Sequence, residues 1–270
     1  MKNKKKVTAL RLFSLLITIS FFINSSCASA QELFLFSRPA SNIPAHSLSI
    51  GLGNSFIVAP NSFIRIQPEV AYGVSGKLMF QWQGALTNRV DGLKLNGQSL
   101  YAQYKFLNID EKKRHFRMAG FTRLGLGDRV QFQDELDVNG MNSGWELGLI
   151  GTQLLHKTAI SGTAGIEQAY FENSSNNALS YSLSAGQLVL PKKYKNYKQT
   201  NMNLMLEVLG QTSLSKNKSF VDIAPVVQFI FLSRSRLDLA YRTQLFGNMQ
   251  RVAKNAFVIR LEYNLYNVFN

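Results

Sequence analysis

From residue 47 onward, apolar and polar residues alternate with a period of two in one segment after another. The last segment, 255–269, is the clearest. Phe257, Ile259, Leu261, Tyr263, Leu265 and Phe269 fall on one side, with Asn267 the single polar break, and Val258, Arg260, Glu262, Asn264 and Tyr266 fall on the other. Successive side chains of a strand point to opposite faces, so this pattern predicts a strand with one apolar and one polar face. Dividing the chain at its turn residues gives twelve such strands: 47–57, 62–73, 77–87, 98–107, 115–127, 144–154, 158–170, 178–189, 200–211, 219–231, 236–246 and 255–269. The fifth is blurred by Phe121, and the seventh is rich in small residues. Pro68 stands inside the second, where it cannot donate to a ladder, and predicts a bulge or a local break. No segment has the period of a helix, and no internal repeat is visible.

A soluble sandwich could use one strand of this kind. Recurrence along the whole chain points instead to a sheet with lipid on one face and water on the other. In lipid such a sheet must close, because an open edge would leave backbone groups unpaired. The expected fold is therefore an all-β, closed antiparallel transmembrane barrel of about twelve strands. Twelve is even, as a single chain with both termini on the periplasmic side requires. The connections after the second, fourth, sixth and tenth strands are short, and those after the third and fifth are long; 191–199 is long for a periplasmic turn. Tyr72, Phe106, Phe116, Trp145, Tyr170, Phe171, Phe231, Phe246 and Phe257 stand near strand ends, where interfacial girdles belong.

The start of the chain agrees with an exported protein. Lys2, Lys4, Lys5, Lys6 and Arg11 precede an apolar stretch at 12–23, and Ala28-Ser29-Ala30 is an A-x-A cleavage site. Residues 1–30 read as a cleaved signal peptide, 31–46 as an N-terminal lead-in or a lumen plug, and 47–270 as the barrel. Pro39 and Pro44 interrupt 31–46, while the run Leu33-Phe34-Leu35-Phe36 is apolar enough to want burial. Cys27 is the only cysteine and departs with the signal, so the mature chain holds no disulfide. Beyond residue 30 no apolar run approaches the ~18 residues of a spanning helix. Loss of the signal leaves 25 basic against 16 acidic residues, a net charge of +9. No nucleic-acid motif accompanies that charge, and contact with anionic lipid or surface polysaccharide is the simpler reading.

The terminal strand resembles the closing strand of bacterial outer-membrane barrels, which often end in an alternating aromatic run; here Asn270 follows Phe269. In length and strand pattern the chain resembles the twelve-stranded transporter-like barrels of Gram-negative bacteria, including the group linked to aromatic-compound degradation. The resemblance implies a place in the cell outer membrane, contact with its lipid, passage of a small-molecule solute, and delivery to the barrel-assembly machinery through the C-terminal strand.

Function must come from the inward faces. Their basic candidates are Arg65, Lys77, Lys105, Arg117, Arg123, Arg242 and Arg260. The acidic ones are Glu69, Glu146, Glu167, Glu207, Asp222, Asp238 and Glu262. Gln67, Gln81, Gln83 and Gln103 complete the expected lumen lining. A channel or transporter would use these charges to tune passage; a non-conducting structural or surface-interaction barrel would use them as ion pairs that brace a closed interior. Glu135, Asp137, Asn139, Gly140 and Glu146 repeat the ligand spacing of a calcium loop, but no helices flank them, and we expect no metal and no cofactor. The basic connection at 191–199 reads as a solvated turn. Catalysis is not expected. His46, His115 and His156 have no Ser or Asp partner at motif spacing, and His115-Phe116-Arg117 does not match the His-x-Ser-Asn-Gly type signature of twelve-stranded outer-membrane phospholipases.

Overall fold

In the computed structural model the described residues are 34–89, 92–111, 114–127, 134–170, 177–192 and 198–268. The signal peptide expected at 1–30, the girdle residue Phe171, most of the basic connection at 191–199, and Phe269 lie outside them. Twelve strands form: β1 (Ser47–Pro60), β2 (Phe63–Gly73), β3 (Leu78–Thr87), β4 (Lys94–Glu111), β5 (Arg114–Gly127), β6 (Gly144–Leu155), β7 (Thr158–Ala169), β8 (Asn177–Leu190), β9 (Asn201–Ser213), β10 (Ser219–Phe231), β11 (Ser235–Gly247) and β12 (Ala253–Leu265). Each pairs antiparallel with its sequence neighbours, and β1 pairs with β12, from Leu48↔Leu265 to Pro60↔Ala253, to close the cylinder. Closure leaves no strand edge unpaired, which is what a sheet in hydrocarbon requires.

The alternation sorts as expected. Leu100, Leu126, Leu147, Leu183, Leu261 and Phe257 are exposed on the outside, at 50% or more of their area. In water such a surface would be an aggregation liability; around a closed barrel it is the lipid belt. The exposed charged residues Lys94, Glu111, Arg114 and Lys254 stand at strand ends. The inner faces are lined by buried residues such as Gln81, Gln83, Gln103, Glu207 and Asp238.

The end of the last strand differs from the expectation. The last strand ends at Leu265 rather than running on to 269. Asn267 adopts a positive φ of 56°, and the Val268 amide donates to the His46 carbonyl (2.8 Å), tying the chain end to the start of β1. Of the two outcomes expected at Pro68, a bulge or a local break, the break is the one observed. It stays in register with Leu52 of β1, while the β2–β3 ladder skips from Ile66↔Leu86 to Glu69↔Gln83 without a shift. Pro225 interrupts β10–β11 in the same way, between Ile223↔Thr243 and Val226↔Ala240.

Candidate functional site

Among the described residues, two segments that are not strands fill much of the interior. The first is 34–46, which leads into β1. Phe34 is buried against Met205 and Val226, and Ala40 is buried among Tyr101, Ala119, Phe121 and Ile150. Phe121, the residue that blurs the alternation of β5, faces inward because the segment gives it an apolar partner. Polar contacts do the rest. The Glu207 carboxylate accepts hydrogen bonds from three successive backbone N–H groups, those of Leu35 (2.8 Å), Phe36 (3.2 Å) and Ser37 (2.7 Å). The Ser37 hydroxyl meets that of Ser184. The Ala40 amide donates to Thr152 Oγ1 (2.8 Å), Gln103 Nε2 donates to the Pro39 carbonyl (3.1 Å), and Arg117 donates to Ser41 Oγ (2.6 Å). Where the segment leaves the barrel it crosses Gly73, and a Cβ there would lie 2.2 Å from the Pro44 carbonyl oxygen, so only glycine admits the crossing.

The second segment is the β5–β6 connection, described from residue 134 on, which folds inward. Leu136 exchanges two hydrogen bonds with the Gln211 side chain (2.9 Å each), and Arg65 pairs with Asp137 (2.9 Å). Val138 and Met141 are buried. Gly140 turns the chain with φ +102°, and a Cβ on it would meet the Ala85 Cβ at 2.7 Å. Arg251, in the β11–β12 connection, clamps this segment to the wall. It pairs with both oxygens of Asp222 (2.7 and 2.8 Å) and with Glu135 (3.1 Å), and it stacks on Phe220 with its guanidinium carbon 3.4 Å from the ring centroid. At the rim, Asp134 accepts from Lys218 (2.7 Å), Lys216 (3.2 Å) and the Gln250 amide (2.8 Å). Burial pushes the Asp134 carboxyl up, but these three donors outweigh it and hold the group below its ordinary value. The carboxylates with calcium-loop spacing are thus engaged elsewhere, Glu135 by Arg251 and Asp137 by Arg65.

Between these segments and the wall lies a cavity of about 420 Å³. Of the lumen-lining candidates, Arg65, Gln67, Glu69, Gln81, Gln83, Gln103, Arg123, Glu146, Glu167, Arg242, Arg260 and Glu262 border it. The other six do not. Glu207 is covered by the N-terminal segment. Asp222 and Asp238 are fully buried behind arginines, Asp238 under Arg236 (2.7 Å). Arg117 is engaged with Ser41 and with Asn108 (3.0 Å). Lys105 sits toward the end of β4 that meets the β2–β3 turn, where its amide donates to the Lys77 carbonyl (2.7 Å). Lys77 is a correction: β3 begins only at Leu78, so this lysine is exposed in the turn rather than inward. Ion pairs cross the wall as Arg123–Glu146 (3.3 Å), Arg260–Glu69 (2.7 Å), Arg260–Glu262 (3.0 Å) and Arg242–Asp222 (2.6 Å).

Sequence reasoning missed Arg38, Glu135, Asp137, Arg236 and Arg251 as interior residues. Arg236 could have been found, since it shares the inward parity of Asp238. The others stand on irregular segments, where alternation carries no information.

No protein-family model matches the chain, and no curated protein matches it in sequence. In three dimensions it is similar to the KdgM porin, with TM-score 0.51 and 11% identity over 81% of this chain and 99% of that one. It is also similar to an outer membrane channel from Pseudomonas putida F1, with TM-score 0.54 and 12% identity over 86% of this chain and 99% of that one. At such identities the likeness is one of fold, and with the closed cylinder and its apolar belt it makes this chain a twelve-stranded outer-membrane β-barrel.

Proposed function

We propose that the protein is a small-solute channel whose lumen is closed at rest by residues 34–46 and by the inward β5–β6 connection, and that it conducts when the first of these is displaced. The observation that carries this reading is the way 34–46 is held. Beyond the apolar packing of Phe34, Leu35, Phe36 and Ala40 and the stacking of Arg38 on Tyr101, its attachments are hydrogen bonds to side chains of the wall, and water can replace such bonds at a net loss of about 0.5–1.5 kcal/mol each, or about 1.5–3 kcal/mol for those to the Glu207 carboxylate. A segment bound so can leave without unfolding the barrel. The polar, charged wall it would uncover suits a water-filled path, with Arg65, Glu69, Arg123 and Glu146 among the groups that tune selectivity. A twelve-stranded barrel is wide enough for one. A porin and a channel among similar folds support the class and no substrate. We read no catalytic role: His46 and His156 occupy turns, and His115 pairs with Asp110 at an exposed rim (2.6 Å).

The test is planar-bilayer conductance of the mature protein against a variant lacking residues 34–42. The intact barrel should be mostly silent with rare openings, and the variant should conduct steadily. A folded variant that stays silent would favour the second reading, a braced non-conducting barrel, which the dense interior ion pairing supports. Two companion expectations belong here. Cleavage after Ala30 leaves Gln31 as the first residue, checked by mass of the purified protein. The outward apolar face of β12 serves as the docking signal for the barrel-assembly machinery; charged replacements at Phe257 and Leu261 should slow membrane insertion.

A further inference from the structure

Charge matching inside the cavity is nearly complete. Among the described residues that border it, Arg65 pairs with Asp137, Arg123 with Glu146, Arg236 with Glu262, Arg242 with Glu135 and Arg260 with Glu69, all within 4.0 Å. Two ionisable side chains have no opposite charge at that distance, Arg38 and Glu167. Arg38 donates to the neutral Gln81 and stacks on Tyr101, its guanidinium carbon 4.1 Å from the ring centroid. Glu167 is 7% exposed and accepts a hydrogen bond from the neutral Gln211 (3.1 Å).

One stretch of wall connects this unmatched pair. Arg123 lies against the same Tyr101 ring at 5.3 Å, it pairs with Glu146, and Glu146 stands directly opposite Glu167 in the β6–β7 register. Arg123 Nε is buried without a hydrogen-bond partner. An orphaned donor beside a lone guanidinium, with a carboxyl group that has no cationic partner farther along, is an incomplete constellation. A buried ionisable group without a partner is costly to charge, and the missing partners can be supplied by one molecule.

We propose that this stretch is a binding site for a small zwitterion, its carboxylate on Arg38 and Arg123 Nε, its ammonium on Glu167, and its methylenes in the cavity between them. The inference rests on the reading of the interior as a solute compartment and names the class of solute. Because Arg38 belongs to the N-terminal segment, the site exists only while that segment is inside, so occupancy favours the closed arrangement.

The experiment is calorimetric titration of the refolded mature barrel in detergent with ε-aminocaproate, caproate and hexylamine. The zwitterion should bind about tenfold or more tighter than either singly charged analogue, the worth of one charge-assisted contact. Arg38→Met should remove the advantage over hexylamine, and Glu167→Gln the advantage over caproate. Arg38→Lys and Glu167→Asp, which keep the charges, should retain most of both. Equal affinities for the three probes, no binding of the zwitterion, or affinities unmoved in folded Arg38→Met and Glu167→Gln barrels would overturn the proposal. Binding is read without conduction, so the two readings fail separately: a barrel that binds but never conducts keeps the site and loses the channel, and one that conducts without binding does the reverse.

Discussion

Arg251 shows what one side chain can hold together. It is the common partner of Asp222 on the wall and Glu135 on the inward connection, and its side chain is 1% exposed. Removing one member of a buried ion cluster leaves the others uncompensated, at about 3–5 kcal/mol. Arg251→Met should therefore lower thermal stability by that order and free the connection, seen as faster proteolysis within 134–142. Asp134 adds a pH dependence at the rim. Its carboxyl lies below the ordinary value of 3.8 in the folded state, so its contribution is complete above that value and is lost as pH falls through the folded one. The anchoring of this connection should be flat from pH 8 to 5 and weaken below about pH 4. Asp134→Asn should abolish that acid phase; an acid phase of equal size in the variant would assign it elsewhere. Glu207 has the same kind of leverage over the N-terminal segment. In Glu207→Gln the three backbone donors lose a charged acceptor, a loss on the order of 1–3 kcal/mol. Amide exchange at Leu35, Phe36 and Ser37 should accelerate while exchange in the strands stays unchanged.

Among the elements, strands and inward segments were unequally legible. β10 was read with its observed bounds, and β1 through β9 shift by a few residues at their ends, because alternation between lipid and lumen is forced on every strand. What alternation cannot show is which inward positions face water and which face another part of the chain. Met79, Tyr101, Phe121, Ile150, Met205 and Val226 are apolar residues on the polar side of the pattern, and all are buried. A purely aqueous lumen would not select them. Taken together with Phe34-Leu35-Phe36 they were the one sign that something apolar lies within. The β5–β6 connection left a fainter trace. Its contacts depend on backbone proximity at Gly125 and Gly127, where a Cβ would lie 2.4 and 2.2 Å from carbonyl oxygens of Val138 and Met141. A strand glycine marks a bulge or a tight bend as readily as a close approach of backbone, so these two could not announce an inward fold. Two substitutions test these elements. Phe34→Ala removes the buried anchor of the N-terminal segment, at about 3–5 kcal/mol on docking. Gly140→Val should prevent the inward turn, because its φ and the nearness of Ala85 both exclude a side chain. Both variants should keep the strand circular dichroism of the parent; Phe34→Ala should gain conductance, and Gly140→Val should speed proteolysis within 134–142.

For the whole molecule, the wall and its contents have different kinds of stability. The cylinder is a continuous hydrogen-bonded ring in which β1 meets β12, and its outer face is held by lipid. The contents are held mainly by side chains of the wall, and the proposed channel requires that they be released while the ring stays closed. Only the first of these was fully written in the sequence, since it depends on a repeated local pattern, while the second depends on which distant residues the closed ring happens to face. The central claim is that residues 34–46 move in and out of an otherwise fixed barrel. Residues 31–270 contain no cysteine, so Ser37→Cys with Ser184→Cys places a single pair in the barrel where two hydroxyls now touch. Conductance of that double variant should be absent when the pair is oxidised and should return on reduction. Equal conductance in the two states, with the disulfide verified by mass, would contradict a displaceable plug.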